Sequence, residues 1–345
     1  MLEIEGRVLR GAWTVFVFVL VVALIYLTRS VLVIFTLAIF LAHLIAPLVD
    51  RIDRLTPRRV SRAAVLAIVY LVLIGIALAI LIPVGAKVGE QAAALAGRLP
   101  EAIKEDPLSR LPLPVWLEAW RPRLTEFITE QTAGVNDKIL PILKQLGPGI
   151  LEGLGSLAAL VLIPILSFFF LKDGILMRNA IIDCFQPRQQ SLAEEILADL
   201  HLLVGQYIRA LVLLAMAAFV SYSVVFSALG VPYAVLLASV AGVLELIPFV
   251  GPLTAAIVAL LVAGLSGYAH ILWIVIFLVV YRLFQDYVLS PYLLSSGVEL
   301  HPLLVLFGVL AGEQVAGVPG MFFSVPVIAA LRIVIVRMRR RKAHA

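Results

Sequence analysis

Six long apolar runs, separated by polar residues, are the main feature of the chain. A helix needs about 17–25 predominantly apolar residues to cross a hydrocarbon layer of about 30 Å. Runs of about this length cover residues 12–28, 31–49, 63–86, 155–171, 210–229 and 268–283. The pattern therefore predicts six full transmembrane helices.

Two further apolar segments in the C-terminal half are divided by breaks rich in glycine and proline. Residues 235–247 and 252–265 flank the first break, and residues 303–311 and 318–331 flank the second. Each half is too short to cross a bilayer alone. We therefore expect an all-α polytopic membrane protein with about six full transmembrane helices plus two interrupted or re-entrant helical hairpins in the C-terminal half.

The breaks leave open whether each segment spans the membrane or turns back. The loop Ser266-Gly267 contains no Lys or Arg, which is typical of an external loop and favours hairpins. The first hairpin would then start from outside and the second from the cytoplasm.

The polar stretches divide the chain into three regions. Residues 1–86 hold transmembrane helices 1–3, and residues 154–345 hold a transmembrane core with the two hairpins and a basic tail. Between them, residues 87–153 are hydrophilic with nearly balanced charge, as expected of an extracytoplasmic helical region. Trp116 and Trp120 fit an interfacial helix, and a compact helical cap is the alternative.

Composition agrees with a membrane protein. The 345 residues are 62% hydrophobic and 14% charged, with a mean hydropathy of +1.08, whereas soluble domains carry roughly 25% charged residues. The single Cys184 excludes an internal disulfide and a cysteine-based metal cluster.

Clustered basic residues predict the orientation. Residues 50–62 contain five arginines against two aspartates, and the chain ends in a run from Arg337 to Lys342 that is also rich in arginine. Cytoplasmic loops carry such an excess. We therefore place both termini in the cytoplasm and expect the lipid bilayer, not nucleic acid, as the partner of these charges.

Known catalytic motifs are absent from the sequence. There is no Gly-x-Ser-x-Gly, His-Glu-x-x-His or phosphate-binding loop, and the five histidines have no recurring spacing. We expect no enzyme activity, no cofactor and no metal site.

Polar residues at the two breaks are the candidate site. Glu245 stands alone among apolar residues, where a carboxyl group can take and release a proton or can instead bond to amides freed by the proline break. Gln285 and Asp286 close the full run of residues 268–283, which follows the first break, and Asp286 can pair with Arg282 four residues earlier. The acid and amide of the second break are Glu313 and Gln314. The expected hinge or break residues are Pro248, Gly251, Pro252, Gly312, Gly317, Pro319 and Gly320.

Four motifs in one order resemble the autoinducer-2 exporter family of bacterial membrane transporters. They are Ser167-Phe168-Phe169-Phe170-Leu171-Lys172-Asp173-Gly174, Glu245-Leu246-Ile247-Pro248-Phe249-Val250-Gly251-Pro252, Val288-Leu289-Ser290-Pro291 with His301-Pro302, and Gly317-Val318-Pro319-Gly320 with Val325-Pro326. Two positions depart from the family pattern: Asp286 replaces the more usual Glu, and Glu313 stands where small or apolar residues are expected.

The resemblance implies a multi-pass carrier of the bacterial inner membrane, assembled as a homo-oligomer. Members of this family differ in cargo, and include exporters of autoinducer-2 and antiporters of sodium or lithium against protons. The sequence, together with this resemblance, thus predicts a secondary transporter that exports a small polar solute such as an autoinducer-2-like signal, or one that exchanges sodium or lithium for protons. A non-coupled channel and a membrane scaffold or assembly factor are the alternatives.

Overall fold

A computed structural model describes residues 6–56, 61–104, 122–123, 157–293 and 300–343. The regular elements in these ranges are helices, which confirms the predicted all-α membrane fold. Most of the predicted external region, including Trp116 and Trp120, lies outside the described residues. The elements are α1 (Gly6–Leu27), α2 (Arg29–Leu55), α3 (Arg62–Lys104), α4 (Leu157–Asp183), α5 (Pro187–Ala228), α6 (Ala234–Leu244), α7 (Val250–Leu265), α8 (Ile271–Phe284), a π-helical segment (Gln285–Leu289), α9 (Ser290–Leu293) and α10 (Pro302–Ala343).

Five helical stretches in the described ranges are long and apolar enough to cross a membrane. They are Val31–Leu55, Arg62–Pro100, Pro187–Ala228, Ile271–Leu293 and Pro302–Arg341. Helices α1 and α4, of 22 and 27 residues, cover the other two predicted full runs. The last of the five stretches is not one straight span, because the backbone leaves helical geometry at Ala316 and Gly317.

The first break forms a hairpin, which we call hairpin 1, from α6 and α7. At a rise of 1.5 Å per residue, α6 (11 residues) and α7 (16 residues) are about 16 and 24 Å long, less than a bilayer. The Tyr268 hydroxyl, just after α7, donates to the Leu229 carbonyl, just before α6, at 2.7 Å. The two arms therefore start and finish at one base, and residues 245–249 form the tip.

Hairpin 1 depends on a close backbone approach at its tip. Proline at 248 lacks the N–H that would continue the helix, and Phe249 has a φ of 62°. A Cβ added to Gly251 would collide with the carbonyl oxygen of Leu244. Glycine at 251 lets α7 begin directly against the end of α6.

The second break also folds the chain back, within α10, and we call this hairpin 2. Gly317 has a φ of 63°, which favours glycine. A Cβ on Gly312 would collide with the backbone of Gly320, and the reverse also holds. The arms, residues 302–315 and 318–343, thus pack against each other on either side of the bend.

The two hairpins point in opposite directions along α5. The base of hairpin 1 meets the C-terminal end of α5, where Leu229 accepts from Tyr268. The base of hairpin 2 meets the N-terminal end, where Arg337 pairs with Glu195 and Asp199. Because α5 is one continuous helix of 42 residues, the tips must point toward each other's bases.

Apolar packing fixes hairpin 1 among its neighbours. Buried residues of the C-terminal parts of α3 and α5, of both hairpin arms and of α8 form one core cluster. The Gln91 side chain of α3 also accepts a hydrogen bond from the Leu236 amide at 2.8 Å. This contact places the end of α3 beside the base of hairpin 1. Helix α3 is continuous from Arg62 to Lys104, so the predicted boundary between residues 86 and 87 lies inside it.

Candidate functional site

Glu245 lies at the tip of hairpin 1, immediately after α6. Its backbone N–H donates to the Ala241 carbonyl at 3.0 Å, as in a last helical turn. The residue as a whole is only 8% exposed. A buried carboxyl group needs partners for its oxygens, so the neighbours of Glu245 decide what it can do.

Gln285 provides one of these partners. It begins the π-helical segment after α8 and is 3% exposed. Its side-chain amide donates a hydrogen bond to Oε1 of Glu245. Single π-helical turns often occur at functional sites, and this one places Gln285 against the tip of hairpin 1.

A cavity of about 680 Å³ lies next to this pair. Its walls come from α5, the tip of hairpin 1, the segment from α8 to α9, and both arms of hairpin 2. The lining includes the polar side chains of Asp199, Gln206, Tyr207, Glu245, Arg282, Gln285, Asp286 and Ser290. The other walls are mainly apolar, with leucines of α5, Phe249 of the tip, and valine, alanine and isoleucine of hairpin 2.

Two of the three acids that line the cavity carry an arginine partner. Arg282 Nε lies 2.8 Å from Asp286 Oδ2, which confirms the ion pair predicted from their spacing. Arg337 holds Asp199 through two bonds of 2.7 and 3.0 Å. Glu245 differs, since its hydrogen-bond partner within the described residues is the neutral amide of Gln285.

Glu313 and Gln314 lie elsewhere. Both are exposed, and neither contributes to the cavity wall. They belong to the first arm of hairpin 2, near its bend, whereas Val305 of the same arm lines the cavity. Glu313 follows Val305 by eight positions, a distance of about 12 Å along the helical arm. The structure brings Glu245, Gln285 and Asp286 together but leaves Glu313 and Gln314 outside this group.

The break residues fall into two sets. Pro248 and Pro252 line the cavity beside Glu245, and Gly251 supports the tip. Gly312, Gly317, Pro319 and Gly320 shape the bend of hairpin 2 and are not among the lining residues.

Sequence reasoning missed the contribution of α5. Asp199, Gln206 and Tyr207 line the cavity, and the Tyr207 hydroxyl is buried without a hydrogen-bond partner among the described residues. Spacings of seven and eight place these side chains on one helix face. That spacing is the signal in the sequence that could have identified this face of α5.

The described residues contain no group of three or more His, Cys, Asp or Glu side chains able to hold a metal ion.

Comparison with known proteins gives one family and several relatives. The model of a family described as AI-2E family transporter matches residues 15–340. YrrI of Bacillus subtilis (strain 168), provisionally named a transport protein, is 30% identical over 53% of this chain and 52% of its own length. YueF of the same organism, with the same kind of name, is 23% identical over 87% and 84%. PerM of Escherichia coli (strain K12), provisionally named a permease, is 30% identical over 54% and 53%. The chain thus spans about half the length of YrrI and PerM.

Proposed function

We propose that this chain, which belongs to the AI-2E transporter family, is a secondary carrier that moves a small polar solute through the cavity and couples this movement to protons at Glu245. The observation that carries the proposal is the buried carboxyl group at a backbone break, held by the neutral amide of Gln285. A charge in this position must be balanced by a proton, a cation or further hydrogen bonds. Proton and solute can therefore compete for, or depend on, the same group.

The position of the cavity supports alternating access. Broken helices that meet near the middle of a membrane are a common construction of secondary transporters. Here the tip of hairpin 1 and both arms of hairpin 2, which point in opposite directions, form walls of one cavity. A small movement of either hairpin would open the cavity toward one side.

Cavity size favours an organic solute. Pockets for small molecules typically measure about 300–1,000 Å³, and the volume of about 680 Å³ falls within that range. A bare cation needs far less room. The mixed lining fits a small solute with hydroxyl groups, such as an autoinducer-2-like signal, which could bond to Glu245, Gln285 and Asp199.

Exchange of sodium or lithium for protons is the second candidate. Glu245 supports this candidate, because its carboxyl group is held by the neutral amide of Gln285, whereas Asp199 and Asp286 are paired with arginines, and oxygen ligands suit hard cations. On either proposal the chain acts as a carrier and not as an enzyme.

We also propose that the carrier lies in the bacterial inner membrane as a homo-oligomer with both termini in the cytoplasm. The arginines of residues 50–62 and of the tail support this orientation. Hairpin 1 would then start from the outer face and hairpin 2 from the cytoplasmic face.

Flux into vesicles tests the function. Purified protein is reconstituted in vesicles that contain a pH-sensitive dye, and sodium, lithium or labelled autoinducer-2 is added. A change of internal pH on addition of sodium or lithium supports cation exchange, whereas uptake of the label that depends on the proton gradient supports solute transport. The variant E245Q should reduce coupled flux by at least about tenfold, equivalent to about 1.4 kcal/mol.

The variant E313Q is the matched control, since Glu313 is an exposed acid of the other hairpin. Its flux should remain within about twofold of the unchanged protein. Coupled flux that survives E245Q would remove Glu245 from the mechanism. Flux with single-channel behaviour and no response to the proton gradient would replace the carrier with a channel, and absence of any flux would favour a scaffold.

A further inference from the structure

A pair of histidines joins α2 to α5 away from the cavity. Nε2 of His43 lies 3.1 Å from Nδ1 of His201, and the ring centroids are 4.7 Å apart. His201 lies about 200° around the helix from Asp199, because each residue of an α-helix turns by about 100°. The pair therefore occupies the face of α5 opposite to the cavity-lining residues.

Hydrogen bonding defines the tautomer of His43. Its Nδ1 lies 2.9 Å from the Ile39 carbonyl oxygen, which can only accept, so Nδ1 must carry the hydrogen. In the neutral ring Nε2 is then without a hydrogen and accepts from Nδ1–H of His201. The result is a chain of two hydrogen bonds that runs from His201 through His43 to the backbone of α2.

We infer that His43 and His201 form a single proton-binding site that also ties α2 to α5. A first proton can bind to the outer nitrogen, Nε2, of His201, whose ring is exposed, while Nδ1–H continues to donate to His43. A second proton would have to occupy Nε2 of His43. Two N–H groups of two positively charged rings would then face each other across the same gap, so the contact would be lost.

The surroundings reinforce this limit of one proton. Arg209, two turns after His201 on α5, acts on His43 as a further positive charge. Hairpin 2 packs on α2 through aromatic rings, with Phe323 in an edge-to-face contact with Phe40 and the ring centroids 4.9 Å apart. Among the described residues, His201 and Arg209 are the titratable or charged groups that act on His43. Arg209, together with His201 once it has bound the first proton, therefore opposes a second proton on His43.

The site is distinct from the carboxyl group of Glu245 and does not depend on the proposed transport activity. It lies on another face of α5, and its ligand is a proton shared by two rings. The inference concerns how many protons the pair holds and what the second one does to the contact between α2 and α5.

Nuclear magnetic resonance of protein labelled with ¹⁵N-histidine in lipid bilayers tests the inference directly. The chain contains five histidines, so single His-to-Gln variants assign every signal. At neutral pH we expect His43 as the Nδ1–H tautomer, with a scalar coupling between its Nε2 and Nδ1 of His201. Two successive titration steps, as for coupled groups, should follow on acidification. The coupling between the nitrogens should disappear with the second step.

Variants separate a shared site from two independent histidines. In H201Q, His43 should titrate in a single step, whereas H270Q should leave both steps of the pair unchanged, since His270 lies beside Tyr268 in another part of the fold. An Nε2–H tautomer of His43 in the unchanged protein would overturn the inference without any variant. Titration of His43 that is identical with and without His201 would also overturn it.

Discussion

The two hairpins are built alike at the backbone but differ in what surrounds their acids. Each has a tight glycine approach, Gly251 in hairpin 1 and Gly312 with Gly320 in hairpin 2. Among the described residues, only hairpin 1 of the two places its acid, Glu245, against a polar partner from another element. Glu313 is exposed outside the cavity wall. A helix break can place an acid where a site could form. The site forms only where a polar side chain from another element packs against that acid.

The largest effect should come from the glycines that both hairpins share. In G251A and in G312A the new methyl group would collide with backbone, so we expect a loss of up to about 3 kcal/mol in the free energy of unfolding. In G75A the methyl group meets nothing within 4 Å, and alanine is the better helix former by about 1 kcal/mol. Unfolding in mixed micelles measures all three. Equal stability of G251A and G75A would contradict the close approach at the tip.

The next largest loss of stability should distinguish the two glutamines, Gln285 beside the tip of hairpin 1 and Gln314 in hairpin 2. Q285L leaves the buried carboxyl group of Glu245 without this hydrogen bond, which should cost about 1–3 kcal/mol of the free energy of unfolding. Q314L changes an exposed residue and should remain within about 0.5 kcal/mol. The same unfolding measurement compares them. If Q285L leaves the free energy of unfolding unchanged, the π-helical segment does not support hairpin 1.

The smallest effects should come from the contacts at the two bases. Y268F removes the hydrogen bond to Leu229 at the base of hairpin 1, and R337Q removes the ion pairs at the base of hairpin 2. We expect about 1 kcal/mol or less for each. The loss in R337Q should shrink at high salt, because salt screens exposed ion pairs, whereas that in Y268F should not. If the loss of stability in R337Q does not change with salt, Arg337 contributes through packing and not through its ion pairs.

The helices and the breaks could be predicted from the sequence because they depend on local chemistry. Hydropathy located the six full runs, and proline and glycine located both turns. The ion pair between Arg282 and Asp286 followed from a spacing of four. Family membership was also predicted, and the comparison over residues 15–340 confirms it. The transported solute and the coupling ion stay predictions.

The partners of these residues could not be predicted because they come from distant parts of the chain. Gln285 meets Glu245 across 40 positions, and Arg337 meets Asp199 across 138. The π-helical turn changes the direction of the side chains after Phe284, which α-helical periodicity does not anticipate. For the same reason, the symmetry of the two breaks in the sequence did not distinguish the buried acid from the exposed one.

The continuity of α5 has a mechanical consequence. This helix of 42 residues is about 63 Å long and is fastened to one hairpin near each of its ends. If α5 tilts about its middle as a rigid helix, we expect its two ends, and the hairpin bases attached to them, to move in opposite directions. On the carrier function proposed above, one rigid rocking motion of α5 would open the cavity on one side while closing it on the other, without any change inside either hairpin.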